Sequence, residues 1–305
     1  MTDNPTTQPE TRCGVIALIG APNAGKSTLV NQLVGQKVAI TSAKPQTTRA
    51  RMLGIALHGD TQMILVDTPG IFSPKRKLDR AMVSAAWEGA EDADLIALLV
   101  DPVKQRRHEL DPLVEALERR PEPKILVLNK VDAAKKEPLL ELAQELGGKV
   151  AFEEVFFVSA LTGDGVPEMK AALAARMPQG PWLYPEDEVS DASERLLAAE
   201  ITREQLYRQL HEELPYATAV RPESYTERRD GSVEIRQQIV VDRESQKAIV
   251  LGKGGARVKA IGEAARAELG ELLGRKVHLF LHVKHAEGWD RDREVYEEMG
   301  LEFKA

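Results

Sequence analysis

The chain is expected to fold as an α/β protein: a mostly parallel sheet with helices on both faces, followed by a smaller α+β domain. Three observations predict this. Short apolar runs at Gly14–Ile19, Met63–Val66, Leu95–Val100, Ile125–Leu128 and Val155–Val158 alternate with stretches of helical spacing. Strands covered by helices on both faces read as continuous apolar runs of this kind. The segment Pro178-Gln-Gly-Pro181-Trp-Leu-Tyr-Pro185-Glu-Asp-Glu then breaks the pattern, as an interdomain linker does. Beyond it the order changes to α-β-β-α-α-β.

In the first part, Gly14–Ile19 runs into a glycine-rich turn, and Ser27–Val34 then has helical spacing: strand, loop, helix. Helices are also expected at Asp79–Ala90, Pro138–Leu146 and Val166–Met177. In the second part, Ala192–Glu213 reads as a long amphipathic helix ended by Leu214-Pro215. Ala217–Thr226 and Ser232–Val241 read as strands joined by a turn at Asp230-Gly231. Gln246–Leu251 and Ala256–Leu273 are helices separated by Gly252-Lys-Gly-Gly255, and Val277–Lys284 closes as a strand.

Bulk properties agree with this division. A chain of 305 residues makes about two domains, each with its own core. With 43% hydrophobic and 29% charged residues it is ordinary for a globular protein. The net charge of -7 argues against a surface that binds nucleic acid everywhere, so charge must be read by segment. The single cysteine, Cys13, excludes an intramolecular disulfide and points to a reducing compartment, the cytoplasm. No apolar run approaches the about 20 residues that span a bilayer. The polar, Pro/Thr-rich start, residues 1–12, reads as a disordered tail.

Gly20-Ala21-Pro22-Asn23-Ala24-Gly25-Lys26-Ser27, followed by Thr28, fits the Gly-x4-Gly-Lys-Ser/Thr pattern and sits between a strand and a helix, as that pattern requires. Glycines let the backbone wrap so that amides point at phosphate oxygens, and the helix adds its positive end. Lys26 would reach the β/γ phosphates, and the Ser27 hydroxyl would ligate Mg²⁺. Asp67-Thr68-Pro69-Gly70 follows a strand, where a carboxylate is placed to hold the Mg²⁺ water shell and the Gly70 amide to sense the γ-phosphate. Taken alone, this tetrapeptide is equally a plain β-turn.

Asn129-Lys130-Val131-Asp132 follows the next strand but one. A carboxylate accepts two parallel hydrogen bonds, and guanine offers that pair at N1–H and its 2-amino group. Adenine would leave Asp132 facing an unpaired acceptor, at a cost of about 1–3 kcal/mol or more. Asn129 can bridge loop and base, and the Lys130 stem can cover the ring. Ser159-Ala160-Leu161 would complete the pocket through the Ala160 N–H. Each segment by itself also fits a turn at a strand end; an ATPase or small-molecule kinase gives no reason for Asn129 and Asp132.

Together the four segments resemble, in order and context, the translation-factor-like GTPases. The resemblance implies a P-loop GTPase fold and a switch segment at Gln46-Thr-Thr48-Arg-Ala50, whose Thr48 closes on Mg²⁺ beside Ser27 and Asp67. A solvated, Thr-rich loop is the alternative. Ile71 stands where Ras-like proteins carry the glutamine that orients water, so intrinsic turnover is expected to be slow. In the related group without that glutamine, an asparagine at the position of Asn23 helps bind K⁺. Hydrolysis is therefore expected to be K⁺-stimulated, with Lys26, Asn23, Thr48 and Gly70 as the groups closest to the chemistry.

Gly252-Lys253-Gly254-Gly255, followed by Arg257 and Lys259, resembles the Gly-x-x-Gly signature of KH domains, and α-β-β-α-α-β matches their type II order. Glycines admit the backbone of a single strand, while amides and Lys253 meet its phosphates. From Arg243 to Lys284 there are 9 Lys+Arg against 4 Asp+Glu, a local +5 within a chain of -7. Ile249, Val258 and Ile261 are expected in the core; Trp289 and Tyr296 read as local packing.

A GTPase domain followed by one type II KH domain resembles the Era family of bacterial ribosome-assembly GTPases, from about Cys13 to the C-terminus. That family implies GTP and GDP, the 3′ end of 16S rRNA and the small ribosomal subunit as partners, in a monomer. It also implies peripheral contact with the inner face of the cell membrane in some members, which no basic amphipathic helix here supports. The expected domains are 1–12 tail, 13–178 GTPase, 179–191 linker and 192–305 KH. A nucleotide-gated RNA clamp, with hydrolysis only as a slow reset, is the second reading. Ala21 departs from the arginine frequent in the family.

Overall fold

Alternation along each strand decides the first sheet. The computed structural model describes residues 11–42, 44, 46–49, 51–74, 76–104, 107–211, 214–299 and 301–303; of the tail expected at 1–12, residues 1–10 lie outside them, as does Ala50 of the switch segment, while Arg12 already opens the first strand. Six strands run β1 (Arg12–Gly20), β2 (Met52–His58), β3 (Thr61–Asp67), β4 (Leu95–Val100), β5 (Lys124–Leu128) and β6 (Glu154–Phe157), in the order β2-β3-β1-β4-β5-β6. β1 pairs in parallel with β3 and β4, and β4-β5-β6 continue in parallel. β2, absent from the sequence expectation, is an antiparallel edge strand on β3. Its apolar run is interrupted by Gly54, which weakens the periodic signal.

Successive residues feed two cores. Ile16, Leu18, Leu95, Ala97, Leu99, Ile125 and Val127 pack against α1 (Lys26–Val34) and α5 (Val166–Arg176). Ala17, Ile19, Ile96, Leu98, Val100, Leu126 and Leu128 pack against α3 (Arg107–Glu118) and α4 (Lys136–Gly147). Helix α2 is Lys77–Glu91. Both strand faces are therefore dry, and the runs are apolar without alternation.

In the second part, α6 (Glu194–Gln209), β7 (Thr218–Glu227), β8 (Val233–Val241), α7 (Glu244–Leu251), α8 (Ala256–Leu273) and β9 (Val277–His285) follow the expected order. The sheet order is β7-β8-β9, with β8 antiparallel to β7 and parallel to β9. A short α9 (Arg293–Glu298) was not expected. Helix α6 is not the amphipathic helix its sequence suggests: Ile201 to Tyr207 are all buried. Most of its polar groups find partners, Arg203 in Glu200, Glu204 in Arg208 and Gln205 in Glu268 of α8, although Thr202 Oγ1 and Arg203 Nη1 are buried without one.

The described residues fall into two compact units. One comprises those up to Val38, Arg51–Phe72 and Ala86–Asp191; the other comprises those between Ala39 and Ala50, Ser73–Ala85 and Ala192 onward. The proline-rich segment is thus part of the first unit rather than a free tether. Gln62 accepts from the Leu183 and Tyr184 amides at 2.9 and 3.0 Å and donates to the Tyr184 carbonyl at 2.9 Å. Trp182 Nε1 donates to Asp60 O (3.1 Å), the Ile55 amide to Val189 O (2.8 Å), and Ser190 Oγ to Leu53 O (2.7 Å). Prolines that read as an interdomain linker instead preset an extended strap along the sheet edge.

Candidate functional site

The phosphate-loop, Asp67 and Asn129 motifs all follow the C-terminal ends of parallel strands, where open α/β sheets gather their ligands. β1 delivers Gly20, β3 delivers Asp67, β5 is followed by Asn129, and β6 by Ser159. The loop from Gly20 to Gly25 turns through Asn23 in the left-handed region (φ 63°) and Gly25 at φ 101°. A Cβ at Gly25 would meet Asn129 Nδ2 at 2.1 Å, so only glycine fits. Close approach recurs at Gly70, where a Cβ would stand 2.7 Å from the Pro22 backbone.

Lys26 is 5% exposed, and its Nζ donates to Gly20 O and Ala21 O, each at 3.0 Å. Burial pulls its pKa down to about 8, against the opposing pull of Asp67. Ser27 Oγ donates to Asp67 Oδ2 at 2.6 Å, so two of the three groups expected to hold Mg²⁺ lie side by side. A hydroxyl and a carboxylate are hard oxygen donors, the set this ion takes. Thr68 Oγ1 donates to Leu18 O (2.7 Å) and the Ile71 amide to Gly20 O (3.1 Å), which ties the Asp67–Gly70 turn to the phosphate loop. Thr28 is partly buried on α1.

The base-pocket residues are equally interlocked. Asn129 Nδ2 donates to Ala24 O at 2.8 Å, and its Oδ1 accepts from the Ala160 amide at 2.9 Å. The Ala160 amide, expected to face the base, is therefore used to hold Asn129. Ser159 Oγ donates to Asp132 Oδ1 at 2.6 Å, which fixes that carboxylate. Lys130, in the left-handed region at φ 64°, donates to Asn23 O (2.7 Å) and to Asp101 Oδ2 (2.6 Å). Leu161 is 75% exposed. Asp101 was not among the sequence candidates. Its other oxygen accepts from the Val103 and Lys104 amides, so it is a rigid support for Lys130. The signal was a carboxylate directly after the β4 apolar run, the same placement as Asp67 after Val66.

Thr48 belongs to the second unit, not to the unit that carries Ser27 and Asp67. In that second unit Gly252, Gly254 and Gly255 all have positive φ, and Lys253–Gly255 forms a 3-10 turn between α7 and α8. Lys253 is exposed, Lys259 lies 3.8 Å from Glu263, and Arg257 Nη1 donates to Ile249 O at 3.0 Å. Ile249 corrects the sequence expectation: it is 48% exposed, whereas Val250 and Ile261 are fully buried. One residue along a helix is a turn of about 100°, so only one of the two neighbours can face the core. Trp289 and Tyr296 are buried.

Comparison with known proteins agrees in both units. The family described as 50S ribosome-binding GTPase matches residues 15–130, and the KH domain family matches 213–290. GTPase Era of Erythrobacter litoralis is 75% identical over 97% of this chain and 99% of its own. GTPase Era of Afipia carboxidovorans is 58% identical over 96% and 95%. A crystal structure of Era in complex with MgGDPNP and nucleotides 1506-1542 of 16S ribosomal RNA superposes with a TM-score of 0.90 at 37% identity, covering 95% of this chain and 99% of that one. A single-residue variant of Aquifex aeolicus Era bound to GDP.AlF4- gives 0.89 at 37%, with the same coverage.

Proposed function

The chain belongs to the Era family of GTPases, and from that premise we propose that it hydrolyses GTP slowly while its KH domain holds the 3′ end of 16S rRNA during assembly of the small ribosomal subunit. The observation that carries the proposal is the interlocked set Lys26, Ser27–Asp67 and Asn129–Asp132 at one sheet edge, in a chain that also presents Gly252–Gly255 between two helices. Phosphates sit against the loop amides of residues 20–28, with Lys26 on the β/γ oxygens; Thr68, Pro69 and Gly70 close the γ side. Ser27, Asp67 and Thr48 would hold Mg²⁺, which would supply positive charge against the phosphates. Asp132 accepts from guanine N1–H and the 2-amino group, and the stem of Lys130 lies on the ring. Water attacks the γ-phosphorus, the bond to the β–γ bridging oxygen breaks, and the water's protons pass to phosphate and solvent. The reaction leaves GDP and inorganic phosphate.

Ile71 offers no hydrogen bond to that water, which supports a slow intrinsic rate and a K⁺ ion beside Asn23 in the role of an added cation. Hydrolysis faster in K⁺ than in Na⁺, with the difference lost in Asn23→Asp, is the expected result; equal rates in the two salts refute it. The same Ile71 favours the second reading, an RNA clamp that hydrolysis merely resets. Single-turnover rates with and without RNA distinguish the two, since a clamp shows no RNA effect. Crosslinking to total RNA with a non-hydrolysable GTP analogue bound tests the whole proposal. Recovery of 16S 3′ ends supports it; recovery of messenger RNA, or of nothing, overturns it.

A further inference from the structure

The segment that carries Thr48 is built into the second unit by its own side chains. Ile40, 3% exposed, packs with Ala198, Ile201 and Val233. The Thr41 amide donates to Glu204 Oε1 at 3.1 Å. Lys44 Nζ donates to the carbonyls of Tyr207 and Leu210 at the negative end of α6. Arg49 is the deepest anchor, 4% exposed. Its Nη1 donates to Thr218 O at 2.6 Å; its Nη2 donates to Tyr207 Oη at 3.1 Å and to Pro215 O and Tyr216 O at 3.2 Å. The guanidinium lies 5.9 Å from the ring centres of both Tyr207 and Trp289, and the Tyr207 hydroxyl donates back to Gln46 O at 3.1 Å.

A guanidinium buried among neutral acceptors is costly to disturb, because leaving the socket strands several carbonyls and entering it strips the charge of water. Thr48 is its covalent neighbour, and consecutive Cα atoms are held about 3.8 Å apart. Any displacement of Thr48 therefore strains or empties the socket. We propose that Arg49 is a positioning residue that ties closure of Thr48 on the GTP γ-phosphate to the RNA-binding unit, so that the state of one is felt by the other. The proposal rests on the reading above that Thr48 closes when GTP is bound.

Trp289 supplies a local readout. In a full-length Trp87→Phe/Trp182→Phe background it is the sole tryptophan, and its emission reports on the cation beside it. A change on adding a magnesium-bound, non-hydrolysable GTP analogue, but not GDP, is expected, and it should vanish in both Arg49→Ala and Thr48→Ala. Absence of a triphosphate-specific change, or one that survives Arg49→Ala, overturns the proposal. A change that survives Thr48→Ala yet is lost in Arg49→Ala places the fault in the Thr48 reading and leaves Arg49 as the carrier.

The second measurement is single-turnover hydrolysis with and without a synthetic RNA matching the 16S 3′ end. Arg49→Ala should lower the RNA-dependent change in rate by about tenfold, within the range of coupling between two sites, with GDP affinity unchanged. Arg49→Lys should restore part of it. Should Arg49→Ala unfold the second unit, Tyr207→Phe removes one acceptor and one donor without a cavity. A Tyr207→Phe protein with full RNA response refutes the coupling.

Discussion

Lys26 carries the most informative single charge. Its ammonium is turned onto two carbonyls of its own loop, and burial holds its pKa near 8, whereas the unfolded chain keeps the ordinary 10.5. Between these values the unfolded chain binds more protons than the folded one, so the contribution of Lys26 to stability rises with pH across that window. Nucleotide binding has the opposite sign: phosphates favour the ammonium, so above pH 8 binding must take up a proton and affinity falls. Calorimetry in two buffers of different ionisation enthalpy should show proton uptake growing between about pH 7 and about pH 9; none at the higher pH refutes it. Asp132 gives a second residue-level expectation. Asp132→Asn replaces one of two acceptors with a donor, and GTP affinity should fall about 5- to 150-fold, from the about 1–3 kcal/mol of an unpaired buried group. Xanthosine triphosphate, which carries a carbonyl where guanine has its amino group, should regain affinity in a competition assay; no gain counts against Asp132 as the base reader.

Among elements, the strap along residues 179–191 is fastened most heavily by one side chain. Gln62 is fully buried on β3 and serves two amides and one carbonyl of the strap. Gln62→Ala leaves those groups unpaired and should destabilise the first unit by about 3 kcal/mol, since each buried unsatisfied group costs about 1–3. Urea unfolding measures this, and limited proteolysis should cut near Leu183 in the variant first. A loss below about 0.5 kcal/mol, the scale of an ordinary surface change, shows the strap to be held elsewhere. The phosphate loop behaves as an element too. Gly25→Ala drives a methyl against Asn129 Nδ2 and forces an unfavourable φ, so the Asn129 bridge from Ala24 to Ala160 breaks. Nucleotide affinity should fall at least as far as in Asp132→Asn; wild-type binding by this variant would show that Asn129 does not fix the loop.

On the scale of the molecule, charge is partitioned. A chain of -7 repels RNA at large, and the +5 between Arg243 and Lys284 is where a phosphate backbone is tolerated. RNA affinity should therefore fall steeply with salt, and Lys253→Ala should reduce the log–log slope by about 0.7, the share of one neutralised phosphate on a single strand. An unchanged slope removes Lys253 from the interface. The fold's other global feature is that Ala39–Ala50 and Ser73–Ala85, on either side of the Asp67–Gly70 turn in sequence, group with the KH elements. The expected switch segment thus groups with the KH elements instead of with the Gly20–Ser27 loop.

The sheet class, the α-β-β-α-α-β order of the second unit and the placing of Lys26, Asp67, Asn129 and Asp132 just beyond strands were legible because they depend on local grammar: apolar runs, glycine turns and polar residues fixed to strand ends. β2 was not legible, since an edge strand broken by Gly54 has little periodicity of its own and is made by pairing with β3. The strap was misread because proline signals a loop but not whether a side chain such as Gln62 will fasten it. The buried face of α6 was misread for the converse reason: Arg203, Glu204 and Gln205 count as surface residues until the partners that satisfy them are known. Asp101 and Arg49 escaped for want of a spacing rule, since their partners lie 29 and more than 150 residues away. Sequence by itself determined what chemistry the chain carries, because that is written in contiguous motifs. Only the tertiary structure decided which segments pack as one unit, because burial of an arginine or a glutamine is a property of everything packed around it.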